Sequence, residues 1–174
     1  MNRFKNWMMS GIFTIIAFSF TSVGFSHCEI PCGIYNDAMR MDMIAEDIQT
    51  VEKAMKEIMT LSEQKEKNYN QLVRWIVNKD EHATKIQETV WQYFMTQRIQ
   101  PVASSEAKDY KAYVERLSLL HQMLVYAMKS KQTTDLENVR KLRDLLASFR
   151  TAYMGGQGKG GESGHGTGKE EHGH

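Results

Sequence analysis

Between residues 36 and 153 the chain has no glycine and a single proline, Pro101. These two residue types most often end or kink regular structure, so a stretch this long without them leaves little room for tight turns or hairpins. The stretch is also rich in Met, Leu, Lys, Glu and Gln, which lose little side-chain freedom in a helix. It predicts a body that is almost entirely helical.

Apolar spacing divides this body into four amphipathic segments. The first runs from Asn36 to Lys67, with Met41, Ile44, Ile48, Val51, Met55 and Ile58 on one face and Asn36 or Asp37 as its cap. The second covers Tyr69 to Ile99, with Leu72, Ile76, Ala83, Ile86, Val90 and Phe94 on its stripe and Pro101 ending it. The third starts near Ser104 or Ser105 and carries Tyr110, Val114, Leu117, Leu124 and Met128. The fourth begins at Thr134, with Glu137 in a capping-box position, and carries Leu136, Val139, Leu142, Leu146, Phe149 and Tyr153. Four helices with short connections predict an all-α, antiparallel four-helix bundle over residues 36–154. Trp75, Trp91 and Tyr93 lie beside the stripes, where they fit either the bundle interior or a subunit interface. His121 falls on the third stripe and reads as a hydrogen-bonded core residue, whereas His82 adjoins a charged run and reads as surface.

The two ends differ from this body. Residues 1–26 resemble a secretory signal: Arg3 and Lys5, then the apolar run Ile12 to Phe20, then Gly24-Phe25-Ser26 with small residues suited to cleavage before His27. A cut there implies export, with the periplasm as the expected compartment and no membrane attachment afterwards. Residues 155–174 hold nine of the twelve glycines and no apolar residue to bury, so they read as a disordered Gly/His-rich tail. His165, His172 and His174 could hold a divalent metal loosely, but composition alone fits a solvated tail better. Of 22 basic residues the leader holds two, leaving 20 against 21 acidic ones. Such a balance shows no basic stripe and argues against a nucleic-acid partner.

Directly behind the cleavage point stand His27, Cys28 and Cys32. A cysteine pair in an exported protein can be a disulfide. A bridge closing so short a loop would constrain the unfolded chain little, however. Two thiolates, an imidazole and a newly freed α-amine within six residues make a dense donor set for nickel, copper or zinc. An N-terminal residue followed by cysteine can chelate through amine, backbone nitrogen and sulfur, a planar nitrogen–sulfur arrangement that favours nickel or copper. Pro31 and Gly33 bracket Cys32, one stiffening the chain and the other permitting a turn that returns the second sulfur to the metal.

At these positions the chain resembles the nickel-containing superoxide dismutases, whose mature N-terminus follows the pattern His-Cys-x-x-Pro-Cys-Gly-x-Tyr. His27, Cys28, Pro31, Cys32, Gly33 and Tyr35 fill every fixed place, and Gln92-Tyr93-Phe94 extends the likeness into the second helix. The resemblance implies a metal-binding hook at residues 27–35 holding one nickel ion per subunit. The ligands would be the His27 α-amine, the Cys28 backbone nitrogen and the Cys28 and Cys32 thiolates, joined by the His27 imidazole in the oxidised state. It implies disproportionation of superoxide to O₂ and hydrogen peroxide, with Tyr35 controlling anion access, in a homohexamer of four-helix bundles. It also implies an acid that tunes the imidazole, mapped to Asp42 or Glu46, and a basic residue from a neighbouring subunit, mapped near Asn78 or Lys79. Many members carry a proline after the hook, where this chain has Asn36-Asp37. Two other readings share the motif: an exported nickel or copper carrier without catalysis, and an exported helical adaptor with a structural disulfide.

Overall fold

The computed structural model describes residues 33–157. They form four α-helices and no strand. Helix α1 spans Asp37–Glu63 and α2 Tyr69–Glu88; a π-helical segment, Thr89–Arg98, continues α2; α3 spans Ala107–Gln132 and α4 Leu136–Gln157. No helix among the described residues is long and apolar enough to cross a membrane.

Local chemistry accounts for the helix ends. The Asn36 side chain accepts from the Met39 amide at 3.0 Å, and that of Asn68 from the Gln71 amide at 3.2 Å. Asp135, rather than Thr134, receives the Glu137 amide at the start of α4, at 2.9 Å. Helix α3 begins at Ala107, beyond Ser104 and Ser105, and no side chain bonds its first turn. Helix α4 continues through Gly155, past the expected boundary at residue 154.

Cross-helix contacts give the directions. Asp37, Asp42 and Glu52 on α1 meet Tyr153, Arg150 and Arg143 on α4, so these helices run oppositely. Asp47 and Lys53 of α1 meet His82 and Trp75 of α2, and Lys79 and Gln87 of α2 meet Ser130 and Leu124 of α3, each pair again with opposite sense. The shared core contains five of the six residues expected on α1, with Ile58 buried beside it, and five of the six expected on α4, with Leu136 partly buried.

Two stripes need correction. On α2, Ile76 is 42% exposed, and the inward positions are Lys79, Ala83 and Ile86. The reason lies in the end of α3: the Lys79 ammonium donates to the carbonyls of Ser130 at 2.8 Å and Lys131 at 2.5 Å. The end of α3 therefore lies near Lys79, and the turns of α2 before it pair with α1, where the Lys53 ammonium stands 5.8 Å from the Trp75 ring centroid. That leaves Tyr69, Val73, Ile76 and Val77 exposed. On α3, Leu120, Met123 and Ala127 face inward, while Tyr110, Val114 and Met128 are exposed. His121 follows that outer face and is exposed, not a core residue. His82 is likewise corrected: it is half-buried, with Nδ1 2.7 Å from Asp47 Oδ1.

Lys79 is among the few charged side chains enclosed by the bundle, at 4% exposure. Its ammonium satisfies carbonyls that a helix C-terminus otherwise leaves unpaired and sits at the negative end of the α3 dipole. Lys79→Met is expected to keep the packing volume but strand those carbonyls, lowering stability by about 2–3 kcal/mol. Urea unfolding at neutral pH measures this, and an unchanged midpoint would refute the role.

Candidate metal centre

The proposed ligands His27, Cys28 and Cys32 lie outside the described residues, as do the leader and His165, His172 and His174. The chain that joins the hook to the bundle is described, and its geometry is specific. Gly33, next after Cys32, has φ +77°, a left-handed conformation that side chains with a Cβ rarely adopt. A Cβ built there would meet no atom within 4 Å, so backbone conformation rather than space favours glycine. Ile34 is 83% exposed. Tyr35 follows, and α1 begins two residues later at Asp37.

Asp37 is where the bundle holds this entry. Its Oδ1 accepts from the Tyr93 hydroxyl at 2.6 Å and from Arg98 Nε at 2.9 Å. Its Oδ2 accepts from the Tyr153 hydroxyl at 2.8 Å and from an Arg98 terminal nitrogen at 2.9 Å. One carboxylate thus ties the start of α1 to the π-helical segment and to the end of α4. Charge-assisted bonds of this kind, with a bidentate guanidinium, are the strong ones. The first turn of a helix also favours a negative side chain.

The π-helix makes the arrangement reachable. Residues five apart on an α-helix point about 140° away from each other. In Thr89–Arg98 the hydrogen bonds span five residues, as from the Ile99 amide to the Phe94 carbonyl. That winding brings positions five apart toward one side, and Tyr93 and Arg98 both meet Asp37.

Electrostatics follow from the contacts. Burial pushes the Asp37 carboxyl up, but hydrogen bonds from Arg98, Tyr93 and Tyr153 and the Arg98 charge outweigh it and bring it down to about 2. Burial, and then the bond to Asp37, pushes Tyr153 up to about 12 and Tyr93 in the same direction. The bond to Asp37 also raises Arg98, which stays charged.

Tyr35 lies against this cluster without joining it by hydrogen bond. The Arg98 guanidinium carbon stands 4.2 Å from its ring centroid, and Tyr93 meets it edge to face with centroids 5.9 Å apart. From Tyr93 the aromatic contacts run inward through Phe94 to Phe149 and Tyr153.

The remaining expected residues are placed differently. Asp42 is on the outer surface of α1, its side chain 64% exposed and paired with Arg150 at 2.6 Å. Glu46 is exposed one turn further on. The Lys79 ammonium, expected to reach a neighbouring subunit, is directed to the carbonyls of its own chain. Asn78 lines a surface cavity of about 460 Å³ with Gln71, Arg74 and Trp75, and its buried Oδ1 has no hydrogen-bond partner among the described residues. Among the described residues, no group of three or more His, Cys, Asp or Glu is placed to hold a metal.

The Asp37, Arg98 and Tyr153 network went unread in the sequence, although a signal was present. Tyr93 and Tyr153 each put a hydroxyl beside apolar positions, and a buried phenol needs an acceptor.

Asp37 has its ordinary value near 3.8 when unfolded and about 2 when folded. A depressed carboxyl adds stability that is fully present above about pH 4 and is lost as the pH falls through 2. Asp37→Asn is therefore expected to lower stability at pH 7 by about 2–3 kcal/mol. Its urea midpoint should approach that of the parent protein toward pH 2. A constant gap between the two across that range would contradict the assignment.

The family profile described as nickel-containing superoxide dismutase matches residues 22–156. No curated protein and no solved structure matches the chain. The match takes in the hook, its attachment through Gly33 and Tyr35, and all four helices together with the cluster on Asp37. The chain belongs to the nickel-containing superoxide dismutase family.

Proposed function

We propose that this chain is a nickel-dependent superoxide dismutase whose active site is built at the N-terminus left by cleavage before His27. The observation that carries the reading is the pairing of a dense donor set with a fixed point of attachment. Two thiolates, an imidazole and an α-amine stand within six residues, and the next residues enter the bundle through a left-handed glycine and an anchored aspartate.

The donor chemistry fits nickel. The His27 amine, the Cys28 backbone nitrogen and the thiolates of Cys28 and Cys32 would hold the ion, with the His27 imidazole as a further donor. Soft anionic sulfur with nitrogen suits nickel better than the hard cations do. When bound, nickel supplies one-electron chemistry between its +2 and +3 states, by which one superoxide is oxidised to O₂ and another is reduced, taking two protons, to hydrogen peroxide. The chain's own part is to admit a small anion and deliver those protons. Tyr35, whose ring is held but whose hydroxyl bonds no described residue, is suited to order a water there.

The remaining parts of the reading follow the same logic. Residues 1–26 act as the secretory signal, 27–35 as the hook, 36–154 as the bundle and 155–174 as the tail, with the mature protein in the periplasm. A homohexamer with one nickel per subunit is proposed. The exposed Tyr69, Val73, Ile76 and Val77, beside the unpaired Asn78 oxygen, offer a surface that assembly would cover. A non-catalytic carrier shares the donor set and is separated by turnover of superoxide on the nickel-loaded protein.

The deciding experiment is N-terminal sequencing of purified protein with metal analysis of the same sample. One alanine inserted before His27 is expected to abolish stoichiometric nickel binding and dismutation while helicity by circular dichroism persists. Full activity in that variant, or a mature chain that begins elsewhere, would rule out amine ligation.

A further inference from the structure

Three tyrosines surround Asp37, and the bundle treats one of them differently. The hydroxyls of Tyr93 and Tyr153 are tied to the carboxylate, whereas among the described residues Tyr35 is held through its ring, by Arg98 over its face and Tyr93 at a steep angle to it. Tyr35 is also 39% exposed and its neighbour Ile34 83% exposed, so burial does little to fix it. What fixes it is the guanidinium of Arg98.

We propose that Arg98 is a positioning residue for Tyr35. It is a rigid planar shelf that sets where the phenol stands over the start of α1. The catalytic consequence rests on the nickel dismutase reading; the placement of the ring does not.

The argument turns on which freedoms remain. A guanidinium with one partner can swivel about that bond. Arg98 gives both Nε and a terminal nitrogen to the two oxygens of Asp37, each at 2.9 Å, so its plane is set by the fork. Asp37 cannot turn to follow, because two phenols from separate helical elements hold the same oxygens. The carbon of that fixed plane is 4.2 Å from the Tyr35 centroid, and Tyr93 closes the ring's edge. A cation over an aromatic face is attractive, and a planar one restricts the ring more than a point charge does. The hydroxyl bonds no residue of the Asp37 network.

Arg98→Lys tests this because it keeps the charge and removes the plane. In the metal-free mature protein, tyrosines labelled with carbon-13 in the ring are followed by NMR, with Tyr35→Phe assigning the Tyr35 signals. In the parent protein those signals should lie well away from random-coil positions. In Arg98→Lys they should collapse toward random coil, while Tyr93 and Tyr153 stay near their parent positions. In the nickel-loaded protein, kcat/KM should fall about 5- to 20-fold at unchanged nickel content, with its salt dependence retained because the charge is retained.

Arg98→Gln is the second variant, and it stands in if the lysine protein does not fold. Its amide is planar and can lie on the ring while donating to Asp37, so it should keep most of the Tyr35 displacement. Unmoved Tyr35 signals in Arg98→Lys would overturn the proposal. So would loss of the displacement in Arg98→Gln alone, since charge rather than plane would then be what matters. Loosened Tyr35 signals with unchanged kcat/KM would remove its bearing on catalysis. A parent protein that binds nickel but does not turn over superoxide would sink the dismutase reading and leave the NMR result standing.

Discussion

The carboxylate of Asp37 is the point on which the rest of the structure depends. It lies in the first turn of α1 and receives donors from the π-helical segment and from the last turns of α4. Removing any one donor leaves a buried polar atom short of a partner, so the cluster is cooperative in the ordinary sense of buried networks. Its consequence is mechanical. Ile34 is exposed and Tyr35 partly so, yet the described residues ahead of Asp37 enter the bundle at a place that three elements fix together.

The π-helical winding of Thr89–Arg98 belongs to this arrangement. A regular α-helix through the same residues could bury Val90 and Phe94, but it would turn Arg98 away from the side that Tyr93 occupies. With five-residue spacing, Tyr93 and Arg98 reach one carboxylate while Val90 and Phe94 remain in the core. The side chains of Thr96 and Gln97 donate to carbonyls five residues back and so satisfy acceptors along the segment. Wide helical turns of this kind are uncommon and often mark functional sites.

How much could be read in advance varied with how strongly each face is marked. On α1 and α4 the buried positions are large and apolar at helical spacing, and all six expected residues of α1 are buried. Helix α3 misleads because its inner face includes Ala127 and Ser130, which carry little apolar signal, while Tyr110, Val114 and Met128 lie outside. On α2 the spacing holds, but Ile76 lies beyond the level at which Lys79 meets the end of α3, and no one-dimensional pattern marks where a neighbour stops. The proposed hook is the opposite case. Its ligand types and spacing are local, so the proposal needs no fold, and the one residue of its pattern next to the ligands that is described, Gly33, adopts the left-handed conformation that favours glycine. The cluster at its base was not legible, since it joins residues 37, 93, 98 and 153, and Tyr93 and Arg98 converge only if the winding departs from α.

A metal site at the start of a chain poses a problem that an internal site does not. Ligands carried on two helices are held from both sides; ligands that precede the first helix are held only through the residues that follow them. For nickel held as proposed, stiffness can enter from the C-terminal side, through Gly33, Ile34 and Tyr35. Ile34 is exposed, and Gly33 contributes a backbone conformation rather than contacts. Among the described residues ahead of and at the start of α1, Tyr35 and Asp37 are the ones the bundle grips. Both are fixed by Arg98, one through its plane and the other through its two hydrogen bonds. The donor that completes the cluster, Tyr153, comes from the last described helix. The attachment of Tyr35 and Asp37 is therefore finished only when α4 has docked, although both residues stand at the very start of the described chain.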